Sequence, residues 1–362
     1  MKFGTLKSYY DAVFERAGEV SQNGKPKQLP TVEGDFFPYA DKFEDYWTGY
    51  FTSRPFYKQM SRELERDLRT AEMLLTFSKL NKLGQASDFS GDLRSLERAA
   101  ESVGLFQHHD AITGTSKRMV ALDYGNKLQD GLLMAHAVIL NNLFRLAKHA
   151  TRMSQVKEAN IILQSYRPSS QSLPVKSPLF FSEKDKERIV YIFNPVARPR
   201  THLIQLLSET PNLIIADASG RKYRYQVSPA LNDANTAGMF LDFLLISFYV
   251  KLEPLALKTI SIRSLGTRAQ KMKIPQRSST YIASNDVKDG SANMQGFTVK
   301  NLPEDKKIYL TNSFIKAVFR ADNGKLEAIE TLNSQSKTKH KFEMELKRYE
   351  TIASGAYLFR PR

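Results

Sequence analysis

The run Gln107-His108-His109-Asp110-Ala111-Ile112-Thr113-Gly114-Thr115 holds two of the chain's six histidines side by side, followed at once by a carboxylate. Imidazole nitrogen and carboxylate oxygen are ligand types that a catalytic zinc takes. The Thr113-Gly114-Thr115 turn behind them lets the backbone bend away, so that the polar heads point into one cavity. A catalytic zinc needs three protein ligands and an open position. Adjacent side chains are expected to diverge, so His109 with Asp110 supplies two ligands at most. The other histidines, His136, His149, His202 and His340, show no His-x-His or His-x-x-x-His spacing. The chain has no cysteine, which excludes thiolate sites and disulfides. Two readings stay open from the residues alone. Either further ligands lie outside this chain, or the pair is a surface or capping feature without a metal.

The elements that must position this run are helical. Residues 94–105 before it and 120–146 after it are rich in helix formers, which makes it a loop held on a rigid scaffold. Met60, Leu64, Leu68, Ala71 and Leu75 recur at helical spacing and predict a first helix with charges on its opposite face. Gly91 is expected to precede a second helix carrying Leu93, Leu96, Ala100 and Val103. Residues 132–146 are apolar on more than one face and predict a third, the most buried. Three helices with short connections predict a bundle over residues 56–160.

Residues 1–55 are aromatic-rich and irregular. Leu6 to Phe14 reads as an amphipathic helix capped by Thr5. Residues 34–41 have short strand propensity broken by Pro38, and Pro55 marks a helix start. Trp47 is the only tryptophan. Aromatic rings beside carboxylates line carbohydrate pockets, because sugar C–H faces stack on rings while hydroxyls need polar partners. A core cluster around a loop is the other reading of the same residues. Residues 165–177 are rich in Ser and Pro and read as a linker. Beyond it, strand-like runs at 189–193, 202–207, 213–215, 223–227, 240–250, 259–262, 297–300, 314–320 and 326–329 alternate with turns. Asp322-Asn323-Gly324 is the strongest hairpin turn among them. Many short strands without intervening helices predict an antiparallel β-sandwich over residues 175–362.

At 362 residues the chain is long enough for two or three domains. Its net charge of +15 could attract nucleic acid, but the Lys and Arg are dispersed and no RNA-binding signature is present. The expectation is a solvated basic surface and no nucleic-acid partner. No apolar run reaches the ~18 residues needed to span a bilayer. Neither a signal peptide nor an Asn-x-Ser/Thr sequon is visible, so the sequence as given shows no address for the secretory pathway.

Four motifs in order carry a resemblance. They are Gly34-Asp35-Phe36-Phe37-Pro38-Tyr39-Ala40-Asp41, then Tyr46-Trp47-Thr48-Gly49-Tyr50-Phe51-Thr52-Ser53-Arg54-Pro55, then Leu105-Phe106 with the His-His-Asp run, and Ser354-Gly355-Ala356-Tyr357-Leu358-Phe359. Together they resemble glycoside hydrolase family 38, the zinc-dependent α-mannosidases, over nearly the whole chain. Phe56-Tyr57-Lys58 after Arg54-Pro55 is closer to the family's Golgi branch, α-mannosidase II, than to the lysosomal one.

The resemblance implies a multi-domain α+β chain. Residues 1–55 would end a catalytic α/β domain, 56–160 would form a three-helix middle domain, and 175–362 would begin the β-rich C-terminal domain. It implies that His109 is a Zn2+ ligand, that Asp110 contacts mannose hydroxyls, that Trp47 is a stacking platform and that Tyr357 reaches the sugar. Asp41 and Arg54 belong to the same motifs, with no contact assigned. The implied reaction is retaining hydrolysis of α-linked mannose from N-glycans on the lumenal side of the Golgi membrane. The remaining zinc ligands, the nucleophilic Asp and the acid/base carboxylate have no matching positions here. The expectation is therefore a fragment, inactive in isolation, whose partners are a mannose-containing N-glycan, the missing N-terminal catalytic domain and, as an open alternative, a second copy in a homodimer. The competing reading is a non-catalytic carbohydrate-binding or interaction remnant without metal.

Overall fold

The computed structural model describes residues 3–18, 31–151, 163–231, 240–266, 276–277, 280–281, 299–300, 306–332 and 338–361. It divides into two units, Met1–Phe51 with Thr351–Arg362, and Thr52–Glu350.

In the first unit, α1 (Leu6–Gly18) forms where its amphipathic pattern predicts. Thr5 Oγ1 accepts the backbone N–H of Ser8 at 3.2 Å, satisfying one of the helix's unpaired donors. None of its residues is buried. Residues 31–51 form isolated bridges instead of the short strand expected near Asp35. Ala40 bridges Tyr46, and Tyr46 in turn bridges Phe359 of the C-terminal segment.

The second unit contains the predicted bundle. The short α2 (Gly49–Thr52) leads to α3 (Pro55–Leu80), α4 (Ala86–Phe106) and α5 (Arg118–Thr151), each of the last three packing on the other two. Met60, Leu64, Ala99, Phe106, Leu128, Leu132 and Ala135 form one buried cluster, and Ala71, Leu74, Leu96, Val138 and Ile139 extend it along the bundle. Fully burying a Leu or Met side chain contributes about 1.5–3 kcal/mol, so these positions hold the three helices together.

Two boundaries differ from the sequence reading. Helix α4 begins at Ala86 and runs through Gly91, because Asp88 Oδ2 accepts the backbone N–H of Gln85 at 3.0 Å and caps an earlier start. Helix α5 begins fourteen residues before the 132–146 segment that periodicity singled out. Gly125 and Gly131 weaken the pattern there, yet both are where a neighbour enters. A Cβ on Gly125 would lie 2.6 Å from the Tyr57 ring, and one on Gly131 would lie 2.7 Å from Leu64 Cδ2.

Two polar clusters pair across the bundle, as a low-dielectric interior favours, while Gln129 Oε1 is buried without a partner. Asp92 accepts from Arg145 Nη1 at 2.7 Å, Asn142 Nδ2 at 2.9 Å and Asn141 Nδ2 at 3.1 Å, joining α4 to α5. His136 and Asp67 meet at 2.9 Å, joining α5 to α3.

The segment read as a linker is corrected by the structure. Ser165–Tyr166 pairs antiparallel with Val175–Lys176. Between them Arg167 is almost fully buried, fixed by Glu63 at 2.5 and 3.0 Å, and stacked over the Phe56 ring at 4.5 Å. Gln129 Nε2 donates to its carbonyl at 2.9 Å. Composition indicated a solvated connector, but one buried arginine with a half-buried carboxylate partner docks it on the bundle.

The sandwich expectation holds for two sheets between Glu187 and Arg277, antiparallel except where Gln226–Val227 pairs parallel with Gln276–Arg277. A three-stranded sheet orders Glu187–Phe193, Leu257–Ser264 and Leu213–Asp217, and a four-stranded sheet orders Arg200–Ser208, Phe240–Leu252, Gln226–Leu231 and Gln276–Arg277. Leu206, Val227, Ile246, Phe248 and Val250 of one sheet share a single core with Leu213, Ile215, Ile260 and Ile262 of the other. The 223–227 run forms its strand slightly later than expected, at Gln226–Leu231. A further four-stranded meander runs Lys307–Thr311, Ile315–Arg320, Leu326–Thr331 and Lys339–Lys341. Its central hairpin turns at Asp322-Asn323-Gly324, where Gly324 takes φ +69 and donates to Arg320 O at 2.8 Å. Part of the 297–300 run lies outside the described residues. Among the described residues no helix is long and apolar enough to cross a membrane.

Candidate metal and sugar sites

Phe106 and Ala111 are buried at 2% and 4% exposure, so residues 107–110 are anchored at both ends while crossing the surface. As α4 ends, Gln107 and His108 donate backbone bonds to Gly104 and Leu105, and Ala111 and Gly114 then continue as turns, donating to His108 and Ala111 at 2.9 Å each. A helical coil turns successive side chains by about 100°, less than the roughly 180° of an extended chain, so neighbours can still approach one another.

The expectation that His108 and His109 diverge is therefore not met. Asp110 Oδ2 lies 3.3 Å from His108 Nε2 and 3.7 Å from His109 Nε2, and the two rings sit 4.5 Å apart. One donor atom from each of His108, His109 and Asp110 lies within 4.8 Å of the others. Among the described residues no second group of three such side chains converges. Two imidazoles and a carboxylate match the donor types and the count of a zinc site with an open position.

The turn's hydroxyls orient the carboxylate. Thr115 Oγ1 donates to Asp110 Oδ1 at 3.0 Å, which leaves Oδ2 facing the imidazoles. That hydrogen bond, helped by the charge of His109, holds the Asp110 carboxyl below the usual carboxylate range. Thr113 Oγ1 donates to His109 O at 2.6 Å, and Ser116 N donates to Asp110 O at 3.0 Å.

The start of α3 grips this turn. Arg54, with φ 50, precedes Pro55 at the first helical position. Its Nη1 donates to Gly114 O at 2.8 Å and Ser116 O at 2.6 Å. Lys58 Nζ donates to Ile112 O at 2.6 Å and Ser53 O at 2.8 Å, and burial pushes its ammonium below its ordinary pKa. Gly114 takes φ +75 with no room for a side chain: a Cβ there would sit 2.4 Å from Ser53 O.

Trp47 and Tyr357 belong to the other unit. Trp47 is half-buried, and its Nε1 donates to Asp41 Oδ1 at 2.9 Å. Its ring meets Tyr39 at 5.8 Å and Tyr357 edge-on at 6.3 Å. The backbone holds this pair together: Gly49 N donates to Tyr357 O at 3.1 Å, and a Cβ on Gly49 would lie 2.7 Å from Gly355 O. Arg360 closes the arrangement on Asp45 at 2.5 and 3.2 Å, and its hydrogen bonds hold the Asp45 carboxyl low. Tyr357 remains 45% exposed, so the cluster presents aromatic surface to solvent.

The α-mannosidase middle-domain family matches residues 45–146, the stretch that contains the turn and its helices. The chain is 33% identical over 375 residues to α-mannosidase 2 of Homo sapiens, across the whole of this chain and 31% of that protein. It belongs to the α-mannosidases that its motifs resemble. α-Mannosidase 2 of Spodoptera frugiperda is 30% identical over 393 residues, and α-mannosidase 2 of Arabidopsis thaliana is 28% identical over 375, each across 31% of its length. The chain thus spans about a third of the relatives it matches. A solved α-mannosidase from Enterococcus faecalis V583 covers 92% of this chain and 33% of its own at TM-score 0.43 and 13% identity, too distant to carry a structural argument.

Sequence reasoning on this family member named His109, Asp110, Trp47 and Tyr357. It missed His108 as a converging donor and Thr115, Arg54 and Lys58 as supports. Adjacency argued against the first, and the other three act through backbone contacts that no residue pattern encodes.

Proposed function

We propose that this chain is part of a zinc-dependent retaining α-mannosidase that removes α-linked mannose from N-glycans. In this reading residues 1–55 end the catalytic α/β domain, 56–160 are the middle domain and 175–362 begin the β-rich domain. The observation that carries the proposal is the convergence of His108, His109 and Asp110 in a chain similar throughout its length to α-mannosidase 2. His109 would hold the metal, with His108 beside it, and Asp110 would take mannose hydroxyls. Zinc, when bound, supplies a Lewis acid for adjacent sugar hydroxyls. Trp47 offers the ring face against which a pyranose packs, and Tyr357 offers a hydroxyl beside it. The nucleophile, the acid/base and the missing N-terminal catalytic domain would come from other parts of the full protein. The full protein would work at the lumenal side of the Golgi membrane, as a monomer or homodimer.

Two measurements test this. The chain alone is expected to release no product from an aryl α-mannoside and to bind Zn2+ weakly. A chimera in which this chain replaces the matching third of Homo sapiens α-mannosidase 2 is expected to be active, and to lose activity on His109→Ala. An equally active His109→Ala chimera would sink the metal assignment.

The exposed Tyr39 and Tyr357 rings around half-buried Trp47, beside Asp41, favour one second reading, carbohydrate binding without metal. Mannose-oligosaccharide binding that Trp47→Ala abolishes, with no effect of zinc, would select it.

A further inference from the structure

We propose that Arg54 and Lys58 are positioning residues that hold His108, His109 and Asp110 in their converged arrangement; this deepens the metal-site reading above and rests on it. Both cations are spent on neutral carbonyls. Among the described residues neither forms an ion pair, although nearby surface arginines such as Arg62 do. Their acceptors Ile112, Gly114 and Ser116 are alternate carbonyls of one turn, the turn that closes the His-His-Asp run.

The geometry at Arg54 shows that this contact is enforced. A non-glycine residue at φ 50 sits in a sparsely populated region and persists only where its surroundings over-determine it. Here the guanidinium reaches two carbonyls from that backbone position, and Pro55 fixes the chain that follows. Gly114 lets the turn approach Ser53 so closely that no Cβ fits, which brings its carbonyls within reach of both cations. The carbonyl of Ser116 accepts from Arg54 while its N–H donates to Asp110 O, so one residue couples the clamp to the residue bearing the carboxylate. A shift of this turn would separate Asp110 from the imidazoles, which approach it from the α4 side.

The test uses the whole chain with Arg54→Gln and Lys58→Met, and with Arg62→Gln as a control on the exposed face of the same helix. Three quantities are read at one pH: the far-UV melt, the 15N tautomer pattern of His108 and His109, and the Kd for Zn2+ alone. We expect helix content to be retained in all three variants. The imidazole pattern should change in Arg54→Gln and Lys58→Met, and Zn2+ affinity should fall about tenfold or more, as for lost supporting contacts at metal sites. Arg62→Gln should match the unmodified chain. Should Arg54→Gln fail to fold, Lys58→Met and the conservative Lys58→Arg, expected to restore the pattern, carry the test. Unchanged tautomers and Kd in both variants would overturn the positioning role while leaving the metal reading intact. Loss of the tautomer pattern with no Zn2+ binding by any form would support the positioning role and count against the metal reading.

Discussion

The His-His-Asp turn and the Trp47–Tyr357 cluster are built by opposite strategies. The side-chain hydrogen bonds that shape the turn run between Ser53 and Ser116, while Ala111 seats it against Leu128 and Leu132 in the bundle core. The aromatic cluster joins residues far apart in the chain, closed by a pair whose partners, Asp45 and Arg360, are 315 positions apart. Closing a loop across 60 positions costs less chain entropy than closing one across 315, by roughly 1.5 kcal/mol. The turn should therefore depend on the two cations that grip it, Arg54 and Lys58, and the cluster on its few closing bonds.

The largest effect is expected at Gly114. In Gly114→Val a β-branched side chain must adopt φ +75 against a carbonyl 2.4 Å from its Cβ, and the turn should shift or the bundle lose about 2 kcal/mol or more. A urea midpoint equal to that of the parent chain would show that the turn tolerates displacement and would weaken the contrast.

Next is Arg360→Ala. It removes the Asp45 pair and a donor to Ala353 O, so the C-terminal segment should loosen from Trp47. The single tryptophan reports this directly, with an expected red shift of its emission and greater quenching by acrylamide. Unchanged emission would mean that the Tyr46–Phe359 bridge holds the cluster without the ion pair.

The same pair predicts a pH response. Arg360 depresses the folded-state pKa of Asp45 below its usual 3.8. A depressed carboxylate contributes stability above its unfolded pKa and loses it as pH falls through the folded value. Trp47 emission should thus stay constant above about pH 5 and change on acidification below 3.8. In Arg360→Ala this low-pH step should vanish or move up towards 3.8. A transition near neutrality would point to another group.

The smallest effect tests the scaffold behind the turn. Gly91 lies inside α4, and a Cβ there meets nothing within 4 Å. Gly91→Ala should raise bundle stability by about 0.5–1 kcal/mol. Gly131→Ala should lower it, because its Cβ would meet Leu64 at 2.7 Å. Opposite signs at two helical glycines would sharpen the view that the bundle is packed around specific gaps.

Much of this was legible in the residues. Apolar periodicity located three helices, strand alternation located the sandwich, and Asp322-Asn323-Gly324 located a hairpin, because these depend on local propensity and a repeating face. Residue chemistry singled out His109, Asp110, Trp47 and Tyr357, since few side chains ligate metal or stack on sugars. What remained hidden depended on partners distant in sequence. Residues 120–131 read as helix-forming, but nothing in the residues showed that Gly125 and Gly131 leave the gaps that Tyr57 and Leu64 enter. Residues 165–177 read as a connector until Arg167 met Glu63, 104 positions away.

The sequence by itself determined the element types, the order of bundle and sandwich, and the donor chemistry of the His-His-Asp run. Only the tertiary structure decided that both imidazoles face one carboxylate, that Arg54 and Lys58 hold the turn that bears it, and that Trp47 meets Tyr357. Local pattern fixes which way a backbone coils; which groups then meet depends on contacts across the fold, where hydrogen bonds and steric room act at a few ångströms irrespective of distance along the chain.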